Sequence, residues 1–332
     1  MPDSKAKVNC QKVAYFVAGR GWTGLLPLNA ACTNTQVRYT NGAIAVRSFP
    51  GDPILYLRPK TLDEAVSLLG SSGGQLLAGG TDFYPALGER LPQGNVIDLT
   101  AIGEMRGIAV ESECIRIGGL TTWTDLLRTP LPRAFDALKS AAREIGSIQI
   151  QNRGTVAGNL CNASPAADSV PPLLALDAVI ELASATATRR IPLSQFMVGN
   201  RKTLRQPDEI LVAVTVPRCI ESAASVFLKL GARRYLVISI SMVAAVVRED
   251  GDGKIAEARI AVGSCSAKAQ RLSQLERDLV GCPARAGVAA AVREEHLAAL
   301  SPIDDIRATA VYRHDASLTL VQRALEACVR SH

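Results

Sequence analysis

Aromatic residues are scarce in this chain, 4% of 332 positions, and there are only three histidines. So few aromatic rings leave little material for stacking bases. The 37 basic residues are interspersed among 31 acidic ones for a net charge of +6, so no basic stripe marks a nucleic-acid-binding surface. The mild positive excess suits a phosphate-bearing cofactor or an acidic partner, and equally a solubilising surface. Long apolar runs are missing too. Nothing approaches the roughly 20 residues that span a bilayer, which excludes a membrane-spanning role.

Metal-binding spacing is absent. The eight cysteines stand at 10, 32, 114, 161, 219, 265, 282 and 328, with Cys265 and Cys282 the closest pair. No such spacing ligates a metal or an iron-sulfur cluster, so no metal site is expected. No secretory signal opens the chain, and scattered cysteines then read as buried thiols in a reducing, cytoplasmic compartment. The Gly79-Gly80 pair lacks the spacing of a G-x-G-x-x-G fingerprint, and a P-loop is missing.

What is present is enough for a sizeable interior: 48% apolar and 20% charged residues over a length that suits two or three domains of roughly 100 to 200 residues. Residues 1–50 hold no lasting helical or strand period and are expected to be a poorly ordered extension. From Ile54 the pattern is regular. ILYLRP reads as a strand, and TLDEAVSLLGSSGG as a helix with Thr61 at the N-cap and Glu64 completing a capping box. QLLAGG and NVIDL are strands, and a hairpin leads into a helix capped by Thr121 or Thr122. PRAFDALKSAAREIG has helical spacing, SIQIQ alternates, and VIELAS, RRIPLSQF and EILVAVTVP read as strands. Past Arg218 to Ser222 the order is strand, strand, helix, helix, with helical segments expected over 267–299 and 315–330. This alternation is too irregular for a doubly wound parallel sheet and predicts α+β architecture with several small sheets.

Two glycine-bearing loops follow strands. In Leu77-Ala78-Gly79-Gly80-Thr81-Asp82-Phe83, adjacent glycines remove the Cβ atoms that hold a ligand off the main chain, and successive N–H groups can form an anion nest. The same Gly-Gly can also simply turn the chain. The second, Thr155-Val156-Ala157-Gly158-Asn159, runs on to Ser164 and Asp168 and gathers small and polar residues in one segment. Asp168 precedes PPLLALDA, so its carboxylate can face a ligand or cap that helix.

IQNRGTVAGNLCNASPAADSVPPLLALDA resembles the second flavin-binding segment of the FAD subunits of molybdenum hydroxylases, the family of xanthine dehydrogenases and aerobic carbon monoxide dehydrogenases. LLAGGTDFYPAL is similar to the first such segment, and FLKLGARRYLVISISMVAAV and SPIDDIRATAVYRH resemble the family's C-terminal domain. The resemblance spans about 53–330. It implies a two-subdomain FAD-binding fold of the vanillyl-alcohol oxidase (PCMH) type over 51–219, divided into 53–108 and 109–218, then a small α+β domain over 220–330. It also implies non-covalent FAD, with Leu77 to Phe83 and Thr155 to Asn159 around the pyrophosphate. Ser164, Asp168 and Leu211 would line the cofactor, and Lys229 would sit close to the flavin ring, where an ammonium stabilises the charge of the reduced form. Ile145 stands where some relatives place an aromatic ring, so stacking from that position is not expected.

The implied partners are a molybdopterin-binding large subunit, a [2Fe-2S] small subunit, and NAD, oxygen or another electron acceptor. Two rival readings are a stand-alone FAD-dependent oxidase of the same fold and a flavin-free structural subunit. Many such oxidases tether FAD through histidine, yet His296, His314 and His332 all lie beyond the flavin loops.

Overall fold

Short apolar segments punctuated by glycine and proline fold into three main sheets with helices between them. The computed structural model describes residues 36–40, 43–47 and 54–330. In the first sheet β1 (Gln36–Thr40), β2 (Ala43–Arg47), β3 (Ile54–Leu57), β4 (Gln75–Leu77) and β5 (Val96–Asp98) lie in the order β1-β2-β3-β5-β4. β3, β5 and β4 run parallel, which needs the helical crossover α1 (Leu62–Ser72). β1 and β2 form an antiparallel hairpin added to β3, inside the stretch expected to be poorly ordered. The rest of 1–50 lies outside the described residues.

Thr61 caps α1, its hydroxyl accepting from Glu64 N at 3.2 Å. The reciprocal half of the expected capping box is displaced by one residue, because the Glu64 carboxylate accepts from Lys60 N. A short helix, α2 (Phe83–Leu87), follows the first glycine loop.

Next come β6 (Ile108–Val110), β7 (Cys114–Gly118), α3 (Trp123–Arg128), α4 (Asp136–Glu144), α5 (Ile148–Gln151), α6 (Val156–Asn162) and α7 (Val170–Ala175). Thr122 is the cap of α3, in a full capping box with Asp125, while Thr121 donates to the Gly107 carbonyl instead. The alternating SIQIQ forms the helical turn α5, not a strand: Gly146, at φ +57°, turns the chain after α4, and among the described residues no strand pairs with it. β8 (Val179–Ala183) and β9 (Thr188–Pro192) then pair, and RRIPLSQF leaves the strand at α8 (Leu193–Phe196). A ribbon of β10 (Met197–Gly199) and β11 (Lys202–Thr203) leads to β12 (Ile210–Pro217).

The second sheet is antiparallel throughout, in the order β6-β7-β12-β8-β9. Its central strand, β12, serves two cores. Ile210 and Val212 pack with the first sheet, while Leu211, Val214 and Val216 join Trp123, Phe135 and Leu160 in the second core. The register shifts between Leu211 and Ala213, and this bulge moves the inward-facing positions from odd to even numbers.

The third sheet comprises β13 (Ala224–Leu230), β14 (Ser241–Glu249), β15 (Ile255–Gly263) and β16 (Gln270–Arg271), in that order. Met242, Ala244 and Val246 of β14 face the second core, whereas Val243, Ala245 and Val247 face α9 (Ser273–Leu279) and α10 (Ala310–Arg330). Burial on both faces accounts for the unbroken apolar run. The helix expected over 267–299 is only α9 followed by two 3-10 turns, since Gly281, Pro283 and Gly287 interrupt it and both glycines take positive φ. α10 starts earlier than expected, at Ala310, whose N–H is held by Asp304 Oδ1 at 2.5 Å.

Among the described residues no helix is long and apolar enough to cross a membrane. The described cysteines are free thiols, but they are not all buried as expected: Cys219 is exposed, because it lies on a 3-10 turn at the surface. Burial pushes the Cys161 thiol up to about 11 and that of Cys328 up to about 12, which keeps both protonated and unreactive near neutral pH.

Trp123 is 1% exposed and packs against Gly154 of the second glycine loop. Trp123→Ala is expected to cost about 3–5 kcal/mol in urea unfolding of the chain; a loss below about 1 kcal/mol would place the ring outside the core.

Candidate functional site

β4 ends at buried Leu77, and Ala78, Gly79, Gly80 and Thr81 follow half-buried. Both glycines are required by geometry. A Cβ on Gly79 would stand 1.9 Å from the Arg153 carbonyl oxygen, and Gly80, at φ +77°, would put one 2.8 Å from the Tyr84 ring. The first glycine therefore admits the second loop, not only a ligand. Among the described residues, the N–H groups of Gly79, Gly80, Thr81 and Asp82 donate to no group of the chain. Four successive donors of this kind can receive an anion. Asp82 is exposed at the N-cap of α2 without a side-chain capping bond, and Phe83 stands edge-on to Tyr84 with ring centroids 5.4 Å apart. Burial, with Asp98 adding to it, raises the Tyr84 hydroxyl above its ordinary pKa.

The second loop is built differently. Thr155 caps α6 by accepting from Gly158 N at 3.1 Å; Val156 N donates to Thr121 O, Ala157 N to Gly119 O and Asn159 N to Thr155 O. These N–H groups are consumed within the protein, so this loop offers no row of free donors like the first. Its own contribution is small surfaces and side chains. The position of a Cβ on Gly158 is 4.0 Å from the Ala78 Cβ, so the two loops meet there as well as at Gly79. Asn159 Oδ1 accepts from Ser169 Oγ at 2.6 Å, and Ser164 Oγ accepts from Ala166 N at 3.3 Å. Leu211 is buried in β12, and Ile145 caps the C-terminal end of α4, half-buried against the second core.

Three contributions escape the sequence reading. Gly118 and Gly119, at the end of β7, bring the chain against both Met105 and Leu211: a Cβ on Gly119 would lie 2.5 Å from the Leu211 carbonyl and 3.1 Å from Ala157. Thr121 receives Val156 N on its carbonyl. The signal was present, since Gly118-Gly119-Leu120-Thr121 is a second strand-terminal Gly-Gly followed by threonine. Arg153 adds an exposed guanidinium that makes no ion pair among the described residues.

Asp168 does not cap α7. That helix opens Val170-Pro171-Pro172, and the prolines have no N–H to satisfy. Its carboxylate instead binds Lys229 Nζ at 2.6 Å and Ser239 Oγ at 2.5 Å, with the Lys229 and Asp168 side chains only 7% and 8% exposed. Burial pushes the Asp168 carboxyl above the usual carboxylate range, against the pull of Lys229 and Ser239. Lys229 is the penultimate residue of β13, so the third sheet delivers this cation to the segment that carries the second loop.

These residues fit a flavin dinucleotide: a row of N–H donors with no partner among the described residues for a pyrophosphate, a glycine-lined seam with no room for side chains, and a buried cation that the third sheet brings to Asp168. Comparison with known proteins agrees. Residues 47–219 match the FAD binding domain in molybdopterin dehydrogenase, and 227–328 match the CO dehydrogenase flavoprotein C-terminal domain. The chain belongs to the FAD-binding medium subunits of the molybdenum hydroxylase family, and its cofactor is FAD. It is 32% identical to the xanthine dehydrogenase FAD-binding subunit of Escherichia coli O157:H7 over 82% of this chain and 95% of that one. It is 30% identical to the carbon monoxide dehydrogenase medium chain of Hydrogenophaga pseudoflava over 82% and 96%. Identity to the nicotinate dehydrogenase FAD-subunit of Eubacterium barkeri is 35%, over 69% and 80%. A solved structure of the Hydrogenophaga pseudoflava carbon monoxide dehydrogenase superposes with a TM-score of 0.76 at 31% identity, covering 82% of this chain and 96% of that chain.

Gly79→Ala is expected to part the loops and abolish FAD retention in a protein that still folds, read by flavin absorbance after gel filtration and by circular dichroism. Asp168→Ala strands a buried ammonium and is expected to cost about 3–5 kcal/mol in unfolding of the ligand-free chain; a negligible change would mean that Lys229 reaches solvent.

Proposed function

We propose that this chain is the electron-transfer subunit of a cytoplasmic molybdenum-containing hydroxylase. A molybdopterin-binding large subunit would oxidise the substrate, and a [2Fe-2S] small subunit would deliver the electrons here, to be passed on to NAD, oxygen or another acceptor. The observation that carries the reading is the row of free N–H groups from Gly79 to Asp82, held against the second loop by the close approach of Gly79 to Arg153. Its family membership supports the division of labour.

When bound, FAD supplies a two-electron carrier that can be loaded by one-electron donors. The protein's part is binding and electrostatics. Gly79, Gly80 and Thr81 would hold the pyrophosphate through main-chain donors, with the Arg153 guanidinium adding positive charge beside them. Ala157, Gly158, Asn159 and Leu211 would shape the wall of the cleft. Lys229, its ammonium fixed by Asp168, would stabilise negative charge at the reduced ring. Ile145 offers an aliphatic surface and no aromatic stacking.

Reconstitution of the purified chain with FAD is expected to give a flavin absorbance spectrum, with reduction by substrate only when the partner subunits are added. Absence of bound flavin would sink the proposal, and substrate turnover by the isolated chain would favour the stand-alone oxidase. Lys229→Met is expected to lower the reduction potential of bound FAD in a dye-equilibrated titration; an unchanged potential would remove Lys229 from the flavin's surroundings.

A further inference from the structure

Behind the Lys229–Asp168 pair stands a second layer of buried polar groups. Ser239 is 2% exposed and donates from its hydroxyl to Asp168 Oδ1 at 2.5 Å, the oxygen that Lys229 does not use. The next residue, Ile240, is fixed twice. Its N–H donates to Leu230 O at 2.8 Å, tying it beside Lys229, and its carbonyl accepts from Arg313 Nη1 at 2.5 Å. Arg313, itself 3% exposed, also donates to Ser264 O at 3.2 Å and to Asp305 Oδ1 at 2.7 Å. A continuous run of bonds therefore leads from α10 through the Ser239-Ile240 segment just before β14 to the Asp168 carboxylate.

We propose that Ser239 is a positioning residue of the flavin site, which fixes Asp168 so that its carboxylate both orients and neutralises the Lys229 ammonium, with Arg313 holding Ser239 in place from behind. The inference rests on the flavin reading above for its functional consequence. The geometry requires a hydroxyl at 239: one carboxylate oxygen holds the ammonium, and the other would be a buried, unsatisfied acceptor without Ser239. The charged groups that face Asp168 are Lys229, which favours its ionised form, and Glu144 at the end of α4, which opposes it. Removal of the Ser239 donor withdraws support from the carboxylate, so Asp168 binds its proton more tightly. The pair then carries a net positive charge over a pH interval in which the wild-type pair is neutral.

Ser239→Ala tests this in the full chain, with Ser239→Thr to keep the hydroxyl. Because burial raises the folded-state pKa of Asp168, its contribution to stability is full below the ordinary carboxylate value and is lost as pH rises through the folded value. In the ligand-free chain, S239A is expected to move that loss upward by about one pH unit, a tenfold change in proton affinity. In the FAD-loaded chain it is expected to raise the reduction potential within the same pH interval and to match wild type above it. S239T returns both profiles toward wild type, and D168N, which lacks the titrating group, abolishes the pH-dependent step in each. An unmoved stability profile in S239A overturns the proposal whatever the flavin does. A potential shifted equally at every pH also overturns it, since a merely structural change would act that way. A shifted stability profile in a chain that binds no FAD upholds the link between Ser239 and Asp168 but overturns the flavin reading and, with it, the functional role.

Discussion

Two stretches of backbone touch at Gly79, and the site exists because they do. The C-terminal end of β4 and the turn before α6 approach until the Arg153 carbonyl occupies the space of a side chain at position 79. Gly119 does the same between the Leu211 carbonyl and Ala157, so four separate stretches of chain close around one seam. Only glycine permits such approaches. The consequence is chemical as well as steric. With the first loop held in this conformation, its N–H groups from Gly79 to Asp82 have no partner among the described residues.

The second organising feature is a buried ion pair. Taking an ammonium and a carboxylate out of water costs several kcal/mol each unless they are paired and their remaining bonding capacity is filled. Here Ser239 takes the second Asp168 oxygen, and the pair draws one member from the segment after α6 and the other from the third sheet. The C-terminal part of the chain is thus a component of the candidate site and not an appendage to it. Arg313, on α10, extends that dependence to the last helix.

Local signals in the sequence carried most of the regular elements. The Thr61 cap, the apolar runs of β8 and β12 and the glycine stops were legible because each depends on neighbours a few residues away. What was not legible depends on distant packing. The bulge at β12 lies in a strand that two cores share, and nothing in EILVAVTVP announces it. The stretch 267–299 has apolar residues at helical spacing, yet Gly281, Pro283 and Gly287 overrule it, and their weight was readable. At the site, the glycines of the first loop were visible, but their role in admitting the second loop was not. Asp168 was open between a cap and a ligand contact, and the answer came from Lys229 and Ser239, both more than sixty positions away.

β12 has a further consequence. Because Ile210 and Val212 belong to one core while Leu211, Val214 and Val216 belong to the other, neither sheet keeps its interior if this strand leaves. Melting of either half strips apolar surface from its neighbour, so the two halves share one cooperative unit instead of opening in turn. A cleft between units that could breathe separately would lose its ligand at each opening. Joined through one strand, the two cores hold the loops of the candidate site within a single unit.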